Sequence, residues 1–366
     1  MRLKKILIST IFAMSLISLS SCNINKFNLE KDDIIINPEE PSNPEEPEDT
    51  PPTPDPYDPN SETNYIINRV PLNYTEFWGY NDLNRYENKD NLKKLYKDIL
   101  DSYETFYLSK IDLEETKVNN NNIEKSYYII DSVNYKKYNL TSNQAIAVWR
   151  LVNLDNPKYF FIDNNVLTDG NNIKLVCSNL FNTSESRTIA KTNIKEYIDK
   201  FKNELNEELT NKEIIKIIHD YICNNASYSF KEDGTPDDSF YTHNILGIMT
   251  LNKGVCESYS ETFKYLCNLL NINCVTAEGI GKTKKGDEEH AWNVVNINDS
   301  WYFLDVTWND STNSYKYYCK SYQEMIKDHI PNNSESLADG INYIYNLPEI
   351  SDSSLEQNQI ITSEKK

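Results

Sequence analysis

The chain has 366 residues, of which 25% are charged, with a formal net charge of −19 and only 9 Gly. So acidic a balance argues against a nucleic-acid partner, because phosphate binding rests on neutralisation by Lys and Arg, and the composition excludes collagen-like and coiled-coil chains. A chain of this length buries a sizeable core without disulfide or metal staples.

The N-terminal end reads as address and spacer. Over residues 1–22, Arg2, Lys4 and Lys5 form a basic head, and Ile6 to Ile17 is an apolar run too short to span a bilayer, the layout of a secretory signal. Its end, Leu19-Ser20-Ser21-Cys22, resembles a bacterial lipobox, in which the cysteine is diacylated and becomes the new N-terminus. The other reading is an ordinary signal with a chance cysteine. Two acyl chains on Cys22 would suffice for stable anchoring at the outer face of a cell membrane. Residues 23–61 follow as a spacer. Within it, 38–59 holds nine of the fourteen Pro and eight acidic residues with no Lys or Arg. Such a stretch cannot bury apolar surface and favours polyproline II, so it reads as a disordered stalk or as a ligand for a Pro-binding module.

Between the stalk and a polar, disordered tail over 350–366, the chain alternates helical and strand-like patterns without a second linker. It divides into an extension over 62–200 and a second unit over 201–349. Leu92, Leu95, Tyr96, Ile99, Leu100 and Tyr103 recur at helical spacing. A second helix runs from Ser142 to just before Pro157, followed by a short strand over 158–162 and a turn at 168–172. A third helix is expected from Asn193 as cap with Glu196, and a fourth from Thr210 with Glu213 as capping box. The region 62–200 offers no chemistry of its own.

The chemistry lies between Gly254 and Asp310. Gly254-Val255-Cys256 opens a helix whose Val255, Tyr259, Phe263, Leu266 and Leu270 share one stripe. Cys256 falls in its first turn, where the macrodipole favours a thiolate. His290 to Ile297 and Ser300 to Thr307 are two β-rich runs joined by Asn298-Asp299, a type I′ hairpin signal. With Ile297 facing Ser300, His290 lies opposite Thr307 and Asp305 lies one diagonal step away on the same face, within reach of one hydrogen bond. A three-residue loop would put the two groups on opposite faces. In that register Asp305 orients His290, and His290 faces Cys256, the nucleophile–base–orienter arrangement of thiol acyl transfer.

The strings G-V-C-x-x-Y, H-A-W-N-x-V and W-Y-x-x-D-x-T-W, in that order, resemble the bacterial transglutaminase-like superfamily, whose fold is similar to that of papain-type thiol proteases. His219-Asp220-Tyr221, the stretch from Tyr241 to Leu246, and Tyr317-Tyr318-Cys319 with Met325 and His329 also resemble that family. The resemblance covers about 205–331. It implies an α+β fold, with the Cys-bearing helix packed on an antiparallel sheet that carries His and Asp, and an N-terminal α/β extension. It also implies Cys256 as nucleophile, His290 as base and Asp305 as third member. Ser258 and Ser260 stand where the family often has Gly and Ala, which would narrow the substrate groove.

The expected function is a surface-anchored enzyme attacking a peptide or carboxamide carbonyl, with hydrolysis preferred over amine cross-linking and cell-wall peptides among the substrates. The other class is a non-catalytic binding or adhesion lipoprotein that keeps the fold. Trp292 and Trp308 are candidate groove walls or core, and Tyr241, His243 and Asn244 are candidates for the second oxyanion donor. No cofactor, metal or nucleic acid is expected, and the chain reads as a monomer. Cys177, Cys223, Cys267, Cys274 and Cys319 read as buried thiols, with a Cys267–Cys274 disulfide the other option. His219 and His329 read as structural residues in helical segments.

Overall fold

The computed structural model describes residues 15–16, 27–28, 67–120, 123–284, 286–332 and 340–355. Apart from those first four residues, the expected signal, Cys22 and the spacer over 23–61 lie outside the described residues. The apolar stripes form helices where the pattern places them. After α1 (Trp78–Asp82), α2 (Lys89–Leu108) buries the predicted Leu92, Leu95, Tyr96, Ile99, Leu100 and Tyr103. Strands β1 (Glu115–Asn120) and β2 (Ile123–Asn134) follow, then α3 (Ser142–Asp155), opened by a Thr141–Gln144 capping box.

Two expectations shift here. Residues 158–161 are turn, not strand, and β3 runs over Ile162–Thr168. Tyr159, Phe160 and Phe161 are buried against Tyr103, Tyr107, Phe106 and Phe181. Their apolar run therefore marks enclosure on all sides and not ladder pairing. After the turn at 168–172 comes β4 (Asn172–Cys177), and the first sheet has the antiparallel order β1-β2-β4-β3. The next helix, α4 (Ser184–Lys202), begins before the expected Asn193, because the Thr183 hydroxyl accepts from the Ser186 N–H and caps it. Its polar first half hides the helical period, since it buries only Arg187 and Ala190.

Helix α5 (Asn211–Asn225) starts at the predicted Thr210–Glu213 capping box. Two short parallel strands, β5 (Ser227–Tyr228) and β6 (Lys253–Gly254), flank α6 (Ile245–Leu251). Then come α7 (Cys256–Leu269), β7 (Cys274–Thr283), β8 (Gly286–Ile297), β9 (Ser300–Leu304), α8 (Val306–Thr312), α9 (Tyr322–Met325) and β10 (His329–Pro331). The second sheet has order β9-β8-β7-β10, antiparallel throughout, and α7 packs on β7 and β8. The fold is α+β, with the Cys-bearing helix lying on an antiparallel sheet. One buried apolar cluster runs through both halves.

The first residues of the expected tail, 350–355, pack on the fold, and 356–366 lie outside the described residues. Ile350 bridges Trp301, the Ser351 N–H donates to Trp301 O at 2.8 Å, and the Leu355 N–H donates to Cys319 O at 3.1 Å. Cys177, Cys223, Cys256, Cys267, Cys274 and Cys319 are free thiols. No helix among the described residues is long and apolar enough to cross a membrane.

Candidate active site

Cys256 reaches its place because a glycine lets the chain turn tightly into α7. At Gly254 a Cβ would come within 2.4 Å of Ser258 Cβ, and the Val255 N–H is tied to Thr242 O at 2.9 Å. Val255, Tyr259, Phe263, Leu266 and Leu270 are fully buried, so the predicted stripe fixes the rotation of the helix. Cys256 sits at the first helical position and is itself buried. There the positive end of the helix favours an anion.

The hairpin forms in the predicted register. Asn298 and Asp299 take φ of 51° and 62°, and Ile297 pairs with Ser300. The ladder ends at Asn293–Leu304, however, so the strand does not run on to Thr307. Asp305 is the N-cap of α8, its Oδ1 accepting from the Trp308 N–H at 3.1 Å, and Thr307 lies inside that helix. An Asp at this place satisfies a helix-end donor, and that preference overrides the β-rich pattern of the residues around it. The orienting carboxylate thus stands just beyond the sheet and not on it.

From there Asp305 Oδ2 lies 2.9 Å from His290 Nε2. The Cys256 side chain is close enough to act on the charge of the same ring. Burial alone would lower the pKa of His290, but the charge and hydrogen bond of Asp305, then Cys256, outweigh it and raise the pKa to about 10. Burial likewise pushes Asp305 up, yet His290 and His329 hold it well below the usual carboxylate range. The His290 ring stacks on Trp308 at 4.9 Å and on Trp292 at 5.8 Å between centroids. Trp292 is 1% exposed and is core, whereas Trp308 is half-buried.

His329 is the residue that sequence reasoning set aside. It is on strand β10 and not in a helix, fully buried, with Nε2 3.1 Å from Asp305 Oδ2 and Nδ1 2.8 Å from Asp328 Oδ1. Its signals in the sequence were its place in the family-like stretch after Tyr317 and the adjacent Asp328. Among the described residues, His290, Asp305 and His329 form the one group of His, Cys, Asp or Glu whose ligand atoms converge, all within 4.8 Å of one another. His219, by contrast, lies on α5 with its nitrogens on Asp220 and Asn309, as a structural histidine would.

The three oxyanion candidates separate. Asn244 spends its side chain on capping α6 and on Phe240 O, and Tyr241 packs on Phe181. His243 stays near the nucleophile through an acid: its Nδ1 is 3.3 Å from Glu257 Oε1, and Glu257 Oε2 lies 3.4 Å from Cys256 Sγ. Burial opposes charge on both, but their mutual pairing raises His243 and lowers Glu257. Ser258 is buried, its hydroxyl donating to Asn244 O at 2.6 Å and accepting from the Ile248 N–H at 3.1 Å. A cavity between α7 and the sheet is lined by Leu154, Glu257, Ser260, Glu261, Thr276, Glu278 and Ala291, the residues next in sequence to Cys256 and His290 among them. Burial and the neighbouring Glu257 and Glu278 raise Glu261, and raise Glu289 to about 7.

Residues 199–306 match the family model for the transglutaminase-like superfamily. That segment is a transglutaminase-like domain. Its span includes Cys256 and His290 and ends one residue beyond Asp305, while His329 lies outside it. The kyphoscoliosis peptidases of Mus musculus and Homo sapiens are 26% and 25% identical to the chain over 170 and 168 residues. Those matches take in 41% and 40% of this chain but only 25% and 24% of the relatives, so the chain spans about a quarter of their length. Among solved structures, a TGase aligns with 16% identity and a TM-score of 0.29, over 38% of this chain and 41% of its own.

Proposed function

We propose that the transglutaminase-like domain is a thiol acyl-transfer enzyme acting on peptide or carboxamide carbonyls, with Cys256 as nucleophile, His290 as acid and base, and Asp305 as orienter. The observation that carries this reading is the buried relay of Cys256, His290 and Asp305, in which Asp305 Oδ2 lies 2.9 Å from His290 Nε2 and both Asp305 and Cys256 raise the pKa of the ring. Low dielectric strengthens each link of that relay.

In the first half-reaction the sulfur, its proton held by His290, forms a C–S bond at the carbonyl carbon. The carbonyl π-electrons move to oxygen, which backbone N–H groups at the start of α7 can stabilise. Collapse of the tetrahedral species breaks the C–N bond, and His290 gives its proton to the departing amine. In the second half-reaction His290 takes a proton from water as the new C–O bond forms; collapse of this second tetrahedral species breaks the C–S bond, and His290 returns the proton to the sulfur, regenerating the thiol. Water is preferred here over an amine because it is by far the more abundant nucleophile. The name of the curated relatives, peptidase, agrees with hydrolysis. In the same reading Cys22 carries lipid and residues 23–61 hold a monomeric enzyme off the outer face of a cell membrane, with cell-wall peptides among its substrates.

Alkylation by iodoacetamide at pH 6 tests the reading. Rapid, selective modification of Cys256 that slows at least tenfold in His290→Ala is expected. Slow, uniform labelling of every thiol would instead favour a binding lipoprotein that keeps the fold without turnover. Peptide release measured against primary-amine incorporation on casein then separates hydrolysis from cross-linking.

A further inference from the structure

We propose that His329 is a positioning residue for this reaction: it donates from β10 to the same oxygen of Asp305 that accepts from His290, fixing the carboxylate and weakening its hold on the proton of His290. The inference rests on the acyl-transfer reading above and adds a fourth member to its relay.

The geometry leaves His329 little freedom. Its ring is fully buried against Trp308, Trp292 and Tyr317, with centroids 4.3, 5.0 and 5.0 Å away. Nε2 faces Asp305 Oδ2 at 3.1 Å and Nδ1 faces Asp328 Oδ1 at 2.8 Å. A carboxylate oxygen only accepts, so the ring is satisfied on both sides only when both nitrogens carry hydrogen. Asp328 is held in turn by the Tyr317 hydroxyl at 2.8 Å and by Lys316 Nζ at 3.3 Å. The charged and titratable groups facing His329 are therefore Asp305, Asp328, His290 and Tyr317, with Lys316 acting through Asp328.

The donor from His329 falls on Oδ2, the oxygen already bonded to His290 at 2.9 Å, while Oδ1 is taken by the Trp308 N–H. Asp305 is thereby locked in one rotamer with both oxygens engaged. A second hydrogen bond at Oδ2 also draws charge away from His290, which eases delivery of the proton to the leaving group. The strand supporting this arrangement is set by glycines, since β10 lies across Gly279 and Gly281 of β7.

The test uses His329→Leu and His329→Gln in the full chain, the latter retaining a side-chain N–H donor. Casein hydrolysis, iodoacetamide alkylation and nitrogen-15 NMR titration of the histidines are the readouts. His329→Leu is expected to lower hydrolysis at least tenfold and to raise the His290 titration midpoint, with His329→Gln restoring much of both. A His290 midpoint and a hydrolysis rate that both stay within twofold of wild type in His329→Leu would overturn the proposal. If His329→Leu does not fold, the NMR of the wild-type protein decides: an unprotonated His329 Nε2 at neutral pH overturns the inference. Absence of casein hydrolysis in the wild type would count against the acyl-transfer reading, while the His290 titration would still report on His329.

Discussion

The Cys256 sulfur lies between opposed influences. His290 and the start of α7 favour a thiolate, while the Glu257 carboxylate, 3.4 Å away, opposes one and is itself partly neutralised by His243. Replacing Glu257 by Gln removes the like charge, so alkylation of Cys256 at pH 6 should speed up roughly three- to tenfold. An unchanged or slower rate would show that Glu257 does not restrain the thiol. His290 gives a second expectation. Its folded-state pKa is raised from 6.5 to about 10 by Asp305 and Cys256 against the opposing cost of burial. The stability this contributes is complete below pH 6.5 and is lost as pH climbs through 10. Urea denaturation at several pH values should show the wild type losing more stability across that window than His290→Gln, and parallel curves would contradict it.

At the scale of elements, strand β10 is the part of the site with least room. At Gly279 a Cβ would stand 2.1 Å from Ile330 O, a backbone atom that no rotamer change can move aside. Gly279→Ala should therefore push β10 off β7, cost about 1–3 kcal/mol as overpacking does, and slow Cys256 alkylation by displacing His329. A variant with wild-type thermal midpoint and reactivity would show that the strand yields freely. The hairpin shows what local sequence conveys and what it omits. Asn298-Asp299 set turn and register correctly, because the left-handed backbone of a type I′ turn favours those residues. The end of β9 was not legible, because capping by Asp305 competes with strand continuation and wins only once the Trp308 N–H is in place. Strand β10 was also missed, since three residues carry no period and pair only where β7 offers an edge.

Across the whole molecule, the region before residue 200 is fastened to the site by buried charge. Arg150 Nη2 of α3 meets Glu278 Oε2 of β7 at 2.5 Å, and Lys264 Nζ of α7 donates to Leu154 O at 2.5 Å and lies 3.5 Å from Asp155 Oδ1. Asp155 in turn accepts from the N–H groups of Gly79 and Tyr80 at 3.0 Å each. Breaking such a pair strands a buried charge, so Arg150→Met should cost about 3–5 kcal/mol near pH 8. Burial already raises the pKa of Glu278, so Glu278 takes a proton as pH falls and the loss should shrink toward pH 5. Arg150→Met/Glu278→Gln should recover part of it, and a pH-independent loss would refute the pairing as its cause.

The amino-acid order alone determined the helix stripes, the capping boxes, the hairpin turn and the pairing of Cys256 with His290 and Asp305 as candidates. Each of these depends on interactions between near neighbours or on residue chemistry that stays the same in any fold. Only the tertiary structure decided that His329 shares Asp305 Oδ2, that Glu257 links His243 to the sulfur, and that Arg150 meets Glu278. Those contacts join residues 24, 14 and 128 positions apart. No local period encodes such distances; they exist because packing α7 and β10 against one sheet leaves buried polar atoms with nothing else to meet.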